Sequence, residues 1–534
     1  MVDNQIWIKA RQYSKEQLTL AHDVLEELRN GRNVFDAVRH HPIPDGGYLA
    51  KHVLVAVYRD LVKRGEWQPD SQVLAQIRMK PVRTLSGVTT VTVLTKPYPC
   101  PGKCIFCPTD SSMPKSYVPD EPGARRALEH NFDPYAQVST RLEALAAVGH
   151  PTDKVELLIL GGSWASYPRD YQEWFIQRCF DALNGQKSPT LEAAFTINET
   201  GIHRNVGLVI ETRPDQITLN ELAWFRRLGI TKVQLGVQSL DNHILQLNQR
   251  GHTVEHTYLA VNMLRAGGFK IVLHWMPNLL GATPESDRKD FLRLWDGLCP
   301  DEIKIYPNQL LENTSLFNLW QRGEYQPYTT HELVDLIAEI KNTIPRYCRV
   351  NRVIRDIPST YVVDGNKRTS LRQDVHIEME RREFHCQCIR CREVRSQRVD
   401  FNSLSTSDLI YNVGTFEDHF LSFVTQDDHL AGFLRLSLPG NNTPATGMDD
   451  LDQAALIREV HVYGQSLQVG AEQNGAAQHI GLGTRLLHWS ERIALDRGYK
   501  RLAVIAAVGT YQYYLKRGFK RGSLYLIKDL FGKE

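Results

Sequence analysis

Apolar residues recur three and four positions apart through residues 15–31, KEQLTLAHDVLEELRNG, and the run stops at Gly31. That period lines one face of a helix, and a glycine is a natural C-terminal stop. Residues 1–85 are therefore expected to form a small helical domain with scattered cations such as Lys15, Arg29 and Lys51. From residue 86 the pattern shifts to short β-rich runs at 88–96, 154–162, 207–214, 232–239, 270–277 and 302–308. Between them lie amphipathic stretches such as 217–229 and 253–268, which end at glycine. Six strands alternating with helices predict parallel βα units over 86–340. An α/β fold built as a complete or partial (β/α) barrel is expected, because candidate site residues fall at the C-terminal ends of several strands. Residues 341–400 read as a short linker. A second α/β pattern over 401–534 predicts a mixed or antiparallel sheet, with strands in 408–426, 430–439, 458–464 and 501–508. Residues 465–478, rich in Gly, Ala and Gln, are expected to be a loop.

The length of 534 residues, with 42% hydrophobic and 23% charged residues, suits two to four globular domains. No apolar run reaches membrane-spanning length and the first residues do not resemble a secretory signal, so a cytoplasmic protein is expected. Net charge is only +2, but residues 341–400 hold 14 Lys and Arg against 8 Asp and Glu. That excess suits a polyanionic partner or a merely solvated basic face.

Six of the nine cysteines cluster. Cys100, Cys104 and Cys107 follow the first barrel strand, which puts three thiolates at the face where barrels carry chemistry. Three cysteines can hold three irons of a [4Fe-4S] cluster and leave the fourth iron open; a structural zinc would want a fourth ligand nearby. Gly161 and Gly162 end the second strand and would let backbone approach a ligand. Glu211 and Arg213 end the third, and Gln234 and Gln238 lie on and just past the fourth. All four could bond a nucleoside cofactor's ribose or carboxylate, or be satisfied rim residues. Cys386, Cys388 and Cys391 form the second trio, with His376, or alternatively His385, as the fourth ligand of a zinc site. Near the C-terminus the strand Glu459, Val460, His461, Val462 precedes Gln478, Gly481, Leu482, Gly483 and Thr484. The glycines would leave helix N–H groups free to cradle a pyrophosphate. Tyr513 and Tyr514 follow the last long strand, with Tyr514 the preferred functional one.

The first trio and the glycine pair resemble the radical S-adenosylmethionine (SAM) superfamily, and the C-terminal set resembles the coenzyme A site of GCN5-related acetyltransferases. Together with 117–145, 153–164, 388–394, 458–464 and 508–519, they resemble the catalytic subunit of Elongator over nearly the whole chain. The closer spacing of Cys100 and Cys104 suggests a bacterial or archaeal form, acting without the other Elongator subunits, with a homodimer left open. The resemblance implies an enzyme that uses the cluster, SAM and acetyl-CoA to build 5-carboxymethyluridine in the anticodon of tRNA. An unactivated methyl C–H is beyond any protein acid or base, so the cofactor must supply the reactive species. The resemblance also implies that Lys154 contacts acetyl-CoA and that Tyr514 sits near the thioester. The alternative is a protein lysine acetyltransferase with a structural barrel, for which Glu459 is the one candidate base.

Overall fold

Runs such as VELLIL and VQLGV are apolar at every second position, which packs Val155, Leu157 and Ile159, and Val233, Leu235 and Val237, into the core under the helices, while Glu156 and Gln234 fall on the alternate face. In the computed structural model, which describes residues 13–44, 46–80, 84, 86–395, 399–400, 403–463 and 477–530, they form one parallel sheet. Its strands are β1 (Thr89–Leu94), β2 (Lys154–Leu160), β3 (Arg204–Thr212), β4 (Lys232–Gln238), β5 (Lys270–Trp275), β6 (Glu302–Ile305) and β7 (Arg349–Arg352). They pair in chain order, each with the next, and β1 does not pair with β7. The result is a partial barrel with a lateral opening, wrapped by helices. The seventh strand goes beyond the six predicted. Its sequence is RVNR, which carries no apolar pattern, and it is held by register to β6, Ile303 opposite Val350.

The N-terminal helices Lys15–Arg29, Val34–His40, Lys51–Lys63 and Ser71–Ile77 close over a core of their own, with Val24, Leu25, Leu54 and Leu61 inside. Ser14 and Gln17 form a capping box that fixes where the first helix starts.

The second sheet has the order β13-β14-β12-β11-β10-β9-β8. Its strands are β8 (Ser405–Val413), β9 (Phe416–Val424), β10 (Leu430–Pro439), β11 (Ala454–Val462), β12 (Arg501–Val504), β13 (Lys520–Arg521) and β14 (Leu526–Asp529). The helix Ala477–Asp496 packs across it, burying Leu482, Leu486 and Leu487. Only β11 and β12 run parallel. Gly481 and Gly483 lie inside this helix, not in a turn before it. The expected loop at 465–478 falls largely outside the described residues.

This sheet seats on the N-terminal ends of the barrel strands through buried ions. Arg458 grips Asp301, just before β6, with two bonds of 2.6 and 2.8 Å, and reaches Asp418 at 3.0 Å. Arg265 pairs with Asp418 from the barrel side, and Arg435 donates to the Tyr347 carbonyl at 2.7 Å. Burial pushes the Asp301 carboxyl up, but Arg458 and Arg435 outweigh it and hold it far below the usual range. Gly509 sits directly against β3: a Cβ there would lie 2.6 Å from the Asn205 carbonyl oxygen. One rigid docking of the two sheets follows.

Candidate active site

The barrel lumen is not filled by apolar layers. A cavity of about 1080 Å³ runs through it, and its walls include Cys100, Cys104 and Cys107 at one end and Glu459, Val460, His461 and Tyr514 at the other. The sequence origin of this is visible in β6. Glu302 and Lys304 alternate with Ile303 and Ile305, so the charged pair faces inward while the isoleucines pack outward.

At the cysteine end, Gly161 has φ +123°, and a Cβ there would lie 2.1 Å from the Thr95 hydroxyl oxygen. Only glycine lets the end of β2 close against the end of β1. Cys104 is buried, and the Arg250 guanidinium donates to its Sγ at 3.4 Å. Arg213 is clamped by Asp215 at 2.9 and 3.0 Å and donates to the Arg250 carbonyl at 2.8 Å. Its Nη1 is buried with no partner among the described residues. The Gln238 Oε1 is likewise unpartnered, and the residue's backbone is left-handed at φ +72°. These orphaned donors and acceptors fit the polar ends of an amino-acid-bearing nucleoside. Burial pushes the Glu211 carboxyl up, with Tyr117 donating at 3.5 Å. Gln234 is satisfied within the protein, one of the two readings its position allowed: its Oε1 accepts from both His274, at 2.8 Å, and Lys304. Burial brings the Lys304 ammonium down to about 8.

The two cysteine trios differ in kind. Among the described residues, only Cys386, Cys388 and Cys391 bring three ligand atoms within 4.8 Å of one another, as a single ion requires. The first trio is wider and faces the cavity, which suits a multi-iron cluster. Neither expected histidine joins the second trio. His376 is 70% exposed and pairs with Glu380, while His385 is exposed and its Nδ1 lies 2.9 Å from the Glu383 carbonyl. Consecutive helical turns carry His376 outward, away from the thiols.

At the other end β11 and β12 part. They pair only from Ala454 to Ile457, and β11 then runs on to Val462 with that edge free. Such a splayed edge offers backbone groups to an extended amide-bearing chain. A Cβ at Gly481 would meet open space, whereas one at Gly483 would lie 2.4 Å from the Tyr513 hydroxyl. Leu482 is core, and the Thr484 hydroxyl accepts from Arg517 at 3.1 Å. The side chain of Gln478 lies outside the described residues. Tyr514 is buried at the cavity wall, and burial pulls the His461 imidazole down to about 4. Burial also pushes the Glu459 carboxyl up, but Lys270 and Arg435 outweigh it and hold it below the usual range. Lys154 does not reach the cavity. It opens β2 beside Arg204, whose Cβ would be met by one at Gly509.

Comparison with known proteins bears on this arrangement. The Radical SAM superfamily model matches residues 98–294, and the Radical_SAM C-terminal domain model matches 300–381. A protein of Dehalococcoides mccartyi named tRNA uridine(34) acetyltransferase is 43% identical over 454 residues, 84% of this chain and 99% of that one. The chain belongs to the Elongator protein 3 family. Elongator complex protein 3 of Homo sapiens is 34% identical, over 86% of this chain and 87% of its own. An N-terminally truncated family member from the archaeon Methanocaldococcus infernus superposes with a TM-score of 0.72 at 38% identity, covering 83% of this chain and 99% of that one. The family's radical SAM domain implies a [4Fe-4S] cluster and SAM, and the wide trio with its orphaned polar atoms fits both. Arg250, Lys304 and His274 were not singled out from the sequence. The alternation of Glu302 and Lys304 along β6 is the signal that could have found one of them.

Proposed function

We propose that the protein modifies the wobble uridine of tRNA, adding a carboxymethyl group to carbon 5 with acetyl-CoA as the carbon source. The observation that carries this reading is the single cavity shared by the first cysteine trio and the splayed β11 edge. The cluster and SAM, when bound on Cys100, Cys104 and Cys107, supply the hydrogen-abstracting chemistry that no side chain can. The chain's own residues do the rest. Gly161 and Gly162 admit SAM against backbone, and Glu211, Arg213, Gln238 and Arg250 orient its polar groups. Glu459 to Val462 with Gly481 and Gly483 hold the acetyl-CoA arm so that its thioester enters the lumen beside Tyr514. Sharing one lumen keeps the reacting groups together. Arg126, Arg141, Arg372, Arg390 and Arg395 line the same cavity and offer cations to an anticodon backbone. Cys386, Cys388 and Cys391 supply three thiolates to a zinc ion whose fourth ligand is neither His376 nor His385. Relatives named for tRNA uridine(34) support the substrate assignment.

A lysine acetyltransferase would use the splayed β11 edge but has no use for the cysteine trio that shares its cavity. Its one candidate base, Glu459, is tied to Lys270 and Arg435 and is a poor proton acceptor. The test is anaerobic incubation with SAM, reductant, tRNA and acetyl-CoA labelled in its methyl carbon, followed by nucleoside mass spectrometry. Label in carboxymethyluridine, lost in Cys104→Ser, is expected. Label on lysines, unchanged by Cys104→Ser, would overturn the proposal.

A further inference from the structure

We propose that Lys304 reads the base that enters the lumen: its ammonium donates to oxygen 4 of the wobble uracil, the base stacks on Tyr306, and this contact sets uridine apart from cytidine. The inference rests on the function proposed above and names the residue that recognises its substrate.

Lys304 is partnered unlike its neighbours. Lys232, on β4, lies 2.6 Å from the Glu156 carboxylate and 3.3 Å from that of Glu302. Lys270, on β5, pairs with Glu302 at 2.5 Å and with Glu459. Lys304 is only 6% exposed, yet its hydrogen-bond partner among the described residues is the neutral Gln234 amide oxygen. An ammonium has three donors and no lone pair, so the amide must turn its oxygen to Lys304. His274 holds that oxygen from the other side at 2.8 Å, which locks the amide. Although burial lowers the Lys304 ammonium to about 8, it stays largely charged at neutral pH. A buried cation with donors left over calls for a ligand that carries lone pairs.

Position and shape select the base over the acyl arm. The arm arrives at Glu459, beside Lys270, whereas Lys304 lies one inward position nearer the cysteine trio than Glu302. In register Lys304 faces His274 on β5 and Arg352 on β7, and β7 borders the lateral opening of the barrel. Arg352 and Arg390 line the cavity there, and Arg390 donates to the Asn351 carbonyl of β7 at 3.0 Å. A nucleic-acid backbone held along these cations delivers an unstacked base across β7 onto β6. A ring lies ready beside the ammonium. The Lys304 Nζ is 5.6 Å from the Tyr306 ring centroid, and His274 meets the same ring edge-on at 5.5 Å. A planar base uses both the ring and the ammonium; a thioester uses only the second. Uracil presents a carbonyl oxygen on carbon 4, next to the carbon that is modified, whereas cytosine presents an amino group there. Two donors face to face leave the buried ammonium unsatisfied, and a site rejects an analogue strongly on that ground.

The test uses the full chain reconstituted with iron and sulfide, with SAM and acetyl-CoA added. Anticodon stem-loops carry uridine, cytidine or pyrimidin-2-one, which lacks oxygen 4, at the wobble position. Affinity is measured by fluorescence anisotropy without reductant, and turnover of the uridine stem-loop by nucleoside mass spectrometry with reductant. The parent should bind the cytidine and pyrimidin-2-one stem-loops at least about tenfold more weakly than the uridine one. In Lys304→Met the three affinities should converge, turnover of uridine should fall at least about tenfold, and acetyl-CoA binding by calorimetry should be unchanged. Lys304→Gln, whose amide can turn either end to the base, should bind uridine and cytidine alike and keep more turnover than Lys304→Met; it carries the test if the methionine variant does not fold. A Lys304→Met protein that discriminates as the parent does would overturn the proposal. Loss of acetyl-CoA binding with discrimination intact would also overturn it and place the lysine on the thioester. A parent that binds the three stem-loops alike but modifies uridine would overturn base reading alone, whereas a parent that modifies no uridine would overturn the proposed function first.

Discussion

Replacing Arg458 by Met tests the seat between barrel and second sheet. The guanidinium is fully buried and makes a bidentate pair with Asp301, a bond to Asp418 at 3.0 Å, and a bond to the Ser437 hydroxyl at 2.7 Å. Methionine fills most of the volume but leaves Asp301 with the Ile271 N–H at 2.8 Å and Arg435 at 3.4 Å. Asp418 keeps Arg265. Removing one partner of a buried pair costs about 3–5 kcal/mol, chiefly because a charge is stranded. Against a typical stability of about 5–15 kcal/mol that is a large share. Urea denaturation followed by circular dichroism should show the midpoint shift. Adding Asp301→Leu should recover part of the loss, since an apolar pair of similar volume carries no stranded charge. The pH dependence is also specified. The folded Asp301 is held below its unfolded value, so its stabilising contribution is present at neutral pH and is lost only in acid. The gap between parent and variant should stay constant through neutral pH and narrow as the stranded Asp301 protonates. A variant within about 1 kcal/mol of the parent would refute the reasoning, because that is the range of an exposed ion pair.

Gly161→Ala should lower stability by about 2–4 kcal/mol and abolish SAM binding by calorimetry, because φ +123° and a 2.1 Å approach to Thr95 leave no room for a Cβ. The folded Lys304 ammonium titrates near 8 against 10.5 in the open chain, so between those values the unfolded state binds more protons. Stability should therefore rise with pH across that window, and Lys304→Met should flatten the rise. Under the zinc proposal for Cys386, Cys388 and Cys391, a chelator, or Cys388→Ser, should lower the melting midpoint while leaving the visible absorbance of the first trio intact.

The barrel was legible where every second residue of a strand is apolar and packs outward into the core. Strands β1 to β6 follow from such runs, and the first trio follows from its place after β1. Strand β7 was not legible, because RVNR is recognisable as a strand only beside β6. The lumen was half legible. Glu211 and Gln238 sit at strand ends where local pattern points, and Gln234 lies within β4, but the partners of Gln234 come from β5 and β6, 40 and 70 residues on. The Arg458 to Asp301 seat spans 157 residues, and nothing local marks either residue as buried. His376 shows the reverse error. A chemically suitable ligand ten residues from Cys386 is turned to solvent by the phase of its helix. In the C-terminal domain the glycines were found, but their place within the helix depends on where that helix begins, which its composition does not reveal.

The central claim is that one lumen brings the acetyl group to the radical chemistry. The most direct measurement uses acetyl-CoA deuterated in its methyl group and follows deuterium in the 5′-deoxyadenosine released from SAM. The account predicts deuterium in 5′-deoxyadenosine from the parent protein. It would be contradicted by 5′-deoxyadenosine that forms at the parent rate without deuterium, with the label retained in acetate or acetyl-CoA.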